Sequence, residues 1–149
     1  MCTGKFVLLL VAGAGAGWIS GDYTIGNSVR EWDFRLAVDG GGRPVGQRGA
    51  ADRWKVYKSH DDCRPNMLQH GTVCLARRAT VPPTVVLAPC RANDSTQHWY
   101  IHPHALRTDW IQHGADCLAV RNVGDGVYST ATLAPCARGH IEQQFYFFP

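Results

Sequence analysis

Residues 68–99 and 111–145 carry nearly the same text twice. The first passage reads Leu68-Gln69-His70-Gly71-Thr72-Val73-Cys74-Leu75-Ala76, then Leu87-Ala88-Pro89-Cys90, then Gln97-His98-Trp99. The second reads Ile111-Gln112-His113-Gly114-Ala115-Asp116-Cys117-Leu118-Ala119, then Leu133-Ala134-Pro135-Cys136, then Gln143-Gln144-Phe145. Gly71 and Gly114 stand 43 residues apart, as do Cys74 and Cys117, while Cys90 and Cys136 stand 46 apart. Self-similarity at a fixed step means that each copy is one supersecondary unit. One such unit cannot bury its apolar face without its neighbours.

A fainter copy precedes these two. Val29 to Val38 aligns with Ile111 to Val120, with Leu36-Ala37-Val38 matching Leu118-Ala119-Val120. Arg43-Pro44-Val45 aligns with Ala88-Pro89-Cys90 and Ala134-Pro135-Cys136. Val45 then precedes Trp54 by nine residues, the step that separates Cys90 from Trp99 and Cys136 from Phe145. This register puts Arg35 and Val45 where the later copies have cysteines.

Inside a copy, short apolar runs alternate with turn residues. Cys117–Val120, Ser129–Leu133 and Phe145–Phe148 read as strands, and Asn122-Val123-Gly124-Asp125-Gly126 reads as a turn. No part of residues 18–149 holds an apolar stripe at helical spacing over three turns. The expected fold is all-β: three repeats of about 43 residues closing a barrel with pseudo-threefold symmetry, the β-trefoil. Trp54, Trp99 and Phe145, with Leu36, Leu75 and Leu118, are its expected core. Gln97 and Gln143, two residues before a closing aromatic, are expected to hydrogen-bond backbone in their repeats. His70 and His113 recur beside Gly71 and Gly114, which suggests a role in the turn.

The chain opens with one lysine, the apolar run Phe6–Val11 and alternating Ala and Gly. That is the pattern of a signal peptide, expected over residues 1–17. The run is shorter than the roughly 20 residues a spanning helix needs. Residues 18–28 read as an N-terminal segment and 29–149 as the domain, one unit large enough for its own core. The net charge of +3 is spread without a Lys/Arg block, which argues against nucleic acid as a partner.

Six cysteines in a chain expected to be secreted invite pairing. Cys74 and Cys90 occupy matching places in one repeat, Cys117 and Cys136 in the other, so a disulfide within each repeat is the economical assignment. Each contributes about 3 kcal/mol in the chain-entropy model. Cys2 leaves with the leader. Cys63 remains, either for an intermolecular bridge or as a buried free thiol.

The pattern Cys-Leu … Leu-Ala-Pro-Cys … Gln-x-aromatic resembles the ricin B-type lectin repeat, also called the Q-x-W repeat. The resemblance is strong in the second and third copies. In the first, Asp52-Arg53-Trp54 keeps only the tryptophan. It implies a β-trefoil and, by family default, binding of galactose-type sugars. It also implies where the sugar contacts belong: an aspartate two residues after the first cysteine, and often an aromatic two residues before the second. Those places hold Ala76 and Ala119, with Ala37 in the first copy, and Ala88 and Ala134, with Arg43 in the first copy. Alanine supplies neither an acceptor nor a ring, so the ordinary site is expected to be missing.

Other polar residues remain near those loops. The second copy offers Arg77, Arg78 and Asn93; the third offers Arg121, Asn122, Asp125, Tyr128 and His140. Arg78 and Arg121 suit a carboxylate such as that of sialic acid, through bidentate contact. Asp39 stands two residues beyond the place of the lost aspartate in the first copy. Small, expected to be secreted and lacking the standard sugar residues, the chain also resembles the accessory subunits of cytolethal distending toxins, a kind of trefoil that acts in docking. On that resemblance Gly21–Asn27, Cys63 and aromatics such as Trp32, Trp110 and Tyr128 would contact partner chains.

Nothing in the text specifies an enzyme. His102-Pro103-His104 lacks a completing ligand, Cys63 with His60 lacks an orienting third group, and neither a nucleophile elbow nor a phosphate loop occurs. The expectation is a secreted, non-catalytic module without cofactor or metal that recognises glycans or glycoprotein receptors through a non-standard site, touching membranes only through such receptors. The alternative is a docking or cell-binding subunit of a secreted, toxin-type complex.

Overall fold

Short apolar runs separated by turn residues build twelve strands among the residues that the computed structural model describes, 21–27, 34–57, 66–104, 108–121 and 128–149. They are β1 (Gly21–Asn27), β2 (Phe34–Val38), β3 (Pro44–Arg48), β4 (Trp54–Tyr57), β5 (Met67–His70) and β6 (Val73–Arg78). The second half adds β7 (Thr84–Pro89), β8 (Tyr100–His104), β9 (Thr108–His113), β10 (Asp116–Val120), β11 (Tyr128–Pro135) and β12 (Phe145–Phe148). Residues 1–17, expected to be a leader, and Cys63 lie outside the described residues.

Six strands close a barrel. β1 pairs with β4, β4 with β5, β8 with β9, β9 with β12, and β12 returns to β1, all antiparallel. The remaining seam, between β5 and β8, is joined at Asn66 and Trp99, whose backbones exchange hydrogen bonds of 2.7 and 2.8 Å. Closure leaves the barrel no free sheet edge. The other six strands form the hairpins β2–β3, β6–β7 and β10–β11, and β11 also pairs with β3. Four strands per repeat, three times over, is the β-trefoil that the period predicts.

The closing aromatics sit at equivalent points. Trp54, Trp99 and Phe145 lie opposite Tyr23, Asn66 and Asp109 in the first strands of their repeats. Those three partners are spaced 43 residues apart, as are Ile25, Leu68 and Ile111, each fully buried. Trp54, Trp99, Phe145, Leu36, Leu75 and Leu118 are all at 0% exposure. Burial of one such side chain contributes roughly 1.5–3 kcal/mol. The two tryptophans also satisfy their indole N–H groups, donating to the carbonyls of Leu36 and Leu75 at 2.9 Å. Phe145 has no such donor to satisfy.

Polar residues lock the turns as the repeat suggested. Gln97 donates to the Pro89 carbonyl at 2.8 Å and accepts from the Arg91 N–H at 2.9 Å. Gln143 does the same with Pro135 and Ala137 at 2.9 and 2.8 Å. In the first repeat Asp52 stands there and accepts from the Val38 N–H at 3.0 Å instead. Gln69 and Gln112 donate to the carbonyls of Gly71 and Gly114 at 2.7 Å, where φ of 60° and 61° requires glycine. His70 and His113 pack on Trp54 and Trp99, with ring centroids 5.2 and 5.5 Å apart. The expected disulfides Cys74–Cys90 and Cys117–Cys136 are both present.

The first repeat departs from the register read in the text. β1 belongs to the barrel, so the sheet begins upstream of residue 29, and Gly21–Asn27 is a built-in strand, not a free docking segment. Asn27, not Glu31, takes the place of His70 and His113: it faces Phe145 and donates to the Glu142 carbonyl at 2.8 Å. The hairpin register pairs Leu36 with Gly46, as Leu75 pairs with Leu87 and Leu118 with Leu133. Val45 therefore matches Val86 and Thr132, and Gly49 takes the place of the second cysteine. The sugar-platform position of this copy is Gln47, not Arg43. Where a disulfide would stand, Arg35 donates to the Ala50 carbonyl at 3.1 Å, above a small cluster of Ala37, Val45 and Ala50.

Candidate functional site

The hairpin ends that carry Arg43, Arg78 and Arg121 come together, and the candidate site lies there. Arg78 is the last paired residue of β6, opposite Thr84. Arg121 follows β10 at once, its N–H bonded to the Thr130 carbonyl at 3.3 Å. Each stands three residues past the buried leucine of its repeat, Leu75 or Leu118. In the first repeat the corresponding residue is Asp39.

Asp39 organises the turn of its hairpin. Its Oδ1 accepts the N–H groups of Gly41 and Arg43, both at 2.9 Å. Its Oδ2 accepts from the Arg43 guanidinium, with Nε and Nη2 each at 2.8 Å. The Arg43 N–H, then its side chain, hold the Asp39 carboxyl below the usual carboxylate value. Arg43 enters the site already paired.

A cavity of about 600 Å3 opens between these tips. Arg43, Arg78 and Arg121 lie on its wall. Val85, Leu87, Ala131 and Leu133 provide an apolar lining, and Thr84, Thr130 and Thr132 add hydroxyl-bearing side chains. A second hollow of about 430 Å3 shares Arg43, Pro44 and Thr130 with it and reaches Asp39 and Gly41. Among the described residues, the guanidinium groups of Arg78 and Arg121 make no ion pair or side-chain hydrogen bond. The neighbouring Arg77 does, reaching Asp116 at 3.4 Å.

The residues expected to carry a site divide in two. Asp39, Arg78 and Arg121 gather at the hairpin tips, joined by Arg43, which the sequence did not single out as a ligand. The one textual hint of Arg43 was its place four residues after Asp39, the span of a tight turn. Asn93 and His140 lie at the opposite end of their hairpins. Asn93 is exposed just before Asp94, which caps the 3-10 turn Ser95–Gln97; His140 begins the turn Ile141–Gln143 without a side-chain cap bond. From Arg78 to Val73, opposite Pro89, the strand runs about 16 Å at its usual rise. Asn93 and His140 thus do not share the cavity with the arginines. Asn122 and Asp125 fall outside the described residues. Tyr128 starts β11, its backbone opposite Gln47.

Ala37, Ala76 and Ala119, where the resemblance places an aspartate, are 0, 3 and 2% exposed, and their side chains carry no hydrogen-bond acceptor. Among the described residues no group of three His, Cys, Asp or Glu side chains is placed to hold a metal. No helix there is long and apolar enough to cross a membrane.

Solved structures share the architecture. A chain in the structure of a mosquitocidal holotoxin superposes with a TM-score of 0.75 at 10% identity, over 89% of this chain and 17% of that one. This chain thus spans less than a fifth of that toxin's length. A chain of the Haemophilus ducreyi cytolethal distending toxin superposes at 0.69 with 16% identity, over 95% of this chain and 93% of that one. The Macrolepiota procera ricin B-like lectin, solved in complex with lactose, superposes at 0.66 with 15% identity, over 89% of this chain and 97% of the lectin. No family model and no curated protein matches the sequence. At these identities the likeness establishes the fold, a β-trefoil shared with ricin B-like lectins and a toxin subunit.

Proposed function

We propose that this chain is a secreted, non-catalytic binding module that recognises cell-surface glycans through a non-standard site, the cavity between the hairpin tips. One observation carries the reading: Arg78 and Arg121, equivalent residues of two repeats, line a single cavity with an apolar lining, and among the described residues neither has a partner for its charge. Ligand pockets combine such a lining with a few polar groups that fix orientation. The fold shared with a lactose-binding lectin supports a carbohydrate ligand, and the two disulfides fit an oxidising compartment. A glycan array probed with residues 18–149 tests it. Binding to a defined glycan set, lost in Arg78→Ala/Arg121→Ala with the thermal transition retained, is the expected result. Silence of the wild-type protein at high micromolar concentration would contradict it.

A second reading, a docking or cell-binding subunit of a secreted complex, is supported by the near full-length overlap with the cytolethal distending toxin chain. Purification from the native source should then yield a heavier species held through this chain. A monodisperse monomer would count against it.

A further inference from the structure

We infer that the cavity is a single anion-selective subsite, taking an acidic saccharide through its carboxylate or sulfate group, one per chain instead of one per repeat. The inference rests on the glycan reading above and specifies its ligand.

The charge pattern at the hairpin tips carries it. Three guanidinium groups line the cavity, and none of its described lining residues is acidic. Two of the three, Arg78 and Arg121, come from the same repeat position. The remaining equivalent, in the first repeat, is Asp39, whose carboxylate is already paired with Arg43. The first repeat therefore contributes a neutral pair, and the other two contribute positive charge that has no counter-ion among the described residues. A neutral sugar needs no such excess, and two arginines facing one space repel each other unless an anion enters between them. The planar fork of a guanidinium matches the paired oxygens of a carboxylate or sulfate. The threonine hydroxyls and the apolar lining from Val85 to Leu87 and Ala131 to Leu133 suit the remaining sugar ring.

The same asymmetry fixes the stoichiometry and orientation. A threefold trefoil with equivalent sites would bind three ligands. Here both arginines line one cavity, so the acidic group lies between the second and third hairpins. The Asp39–Arg43 turn forms the rim. That ion pair also sets how strongly the site attracts anions, because Asp39 cancels the nearest additional cation.

Calorimetry with three probes tests this: 3′-sialyllactose, 3′-sulfated lactose and lactose. The wild-type protein should bind at least one acidic probe at a one-to-one ratio, at least tenfold more tightly than lactose, and more weakly as salt rises. The preferred acidic probe identifies carboxylate or sulfate as the group recognised. Asp39→Asn keeps an oxygen to accept the Gly41 and Arg43 N–H groups but releases the Arg43 guanidinium; it should tighten acidic-probe binding about threefold or more. Arg43→Gln leaves Asp39 as a bare carboxylate at the rim and should weaken it by a similar factor, so the pair reports even if one variant folds poorly. Lactose affinity should change by less than acidic-probe affinity in both variants. Equal affinity for lactose and the acidic probes, with both variants unchanged, would overturn the anion inference while leaving a glycan module intact. Failure of every probe together with silence on the array would overturn the functional reading itself.

Discussion

Ile25 faces Phe147 across the seam where the first strand of the chain meets the last. Both are buried, and with Ile25 at 0% exposure β1 is as deep in the core as Leu68 and Ile111, its equivalents one and two repeats later. The barrel is thus closed by residues upstream of the domain start that the repeated text indicates. A chain starting at residue 29 should lack a cooperative thermal transition, whereas one starting at residue 18 should melt in a single step. Within the longer chain, Ile25→Ala should cost about 2–5 kcal/mol, as large-to-small changes at fully buried sites do. Cooperative folding of the 29–149 fragment would show that β1 is dispensable.

Gln97 ties the end of β7 to the turn that leads into Trp99. Removal of its amide in Gln97→Ala leaves the Pro89 carbonyl and the Arg91 N–H without their partner, at about 1–3 kcal/mol for each group that stays shielded from water. Gln143→Ala should behave alike, because its two bonds repeat those of Gln97 within 0.1 Å. Denaturant unfolding of the two variants should give matching losses. An unchanged midpoint in both would deny the repeat its polar lock.

Gly46 occupies the hairpin position that Leu87 and Leu133 fill in the other repeats. A side chain there would run into Val120, with Phe34 close behind. Restoring the leucine of the repeat should therefore destabilise the protein by about 1–3 kcal/mol or more, because overpacking a filled core forces its neighbours to move. Gly46→Leu in a Val120→Ala background should recover part of the loss. A stabilised single variant would mean that the first repeat has room for the repeat's own residue.

Acid should loosen two turns. The Arg43 backbone N–H and side chain lower the pKa of Asp39, and the Thr96 hydroxyl and N–H lower that of Asp94. A carboxyl depressed in the folded state contributes stability above its unfolded value, and that contribution is lost as pH falls through the folded value. The melting temperature should therefore decline below about pH 4, the range where free carboxyls titrate. The decline should be shallower in Asp39→Asn, which removes one of the two titrating groups, and in high salt, which screens the pairing of Asp39 with Arg43. Parallel pH profiles for Asp39→Asn and wild type would refute the assignment.

The scaffold was legible because its residues do the same job in each copy. Cysteines, leucines, closing aromatics and their glutamines recur, and all four kinds sit where the period puts them. The first repeat was harder to read. It has a longer link between β1 and β2 and a shorter one between β3 and β4, while Ile25 and Leu68 keep the 43-residue step. Loops tolerate such changes at little cost, so aligned text slipped against paired strands and put Arg43 and Val45 in the wrong places. The site was legible only in part. Arg78 and Asn93 look like neighbours within one copy, but a hairpin has two ends, and text does not say which end a residue occupies. Conversely, Arg78 and Arg121 are a full repeat apart in sequence and share one cavity, a proximity that only closure of three copies creates.

Titration of residues 18–149 with 3′-sialyllactose and 3′-sulfated lactose, alongside Arg78→Ala/Arg121→Ala, tests the central claim most directly. The wild-type protein should bind an acidic probe saturably and one-to-one, and the double variant should lose at least tenfold in affinity with its melting temperature little changed. Undiminished binding in a folded double variant would contradict it.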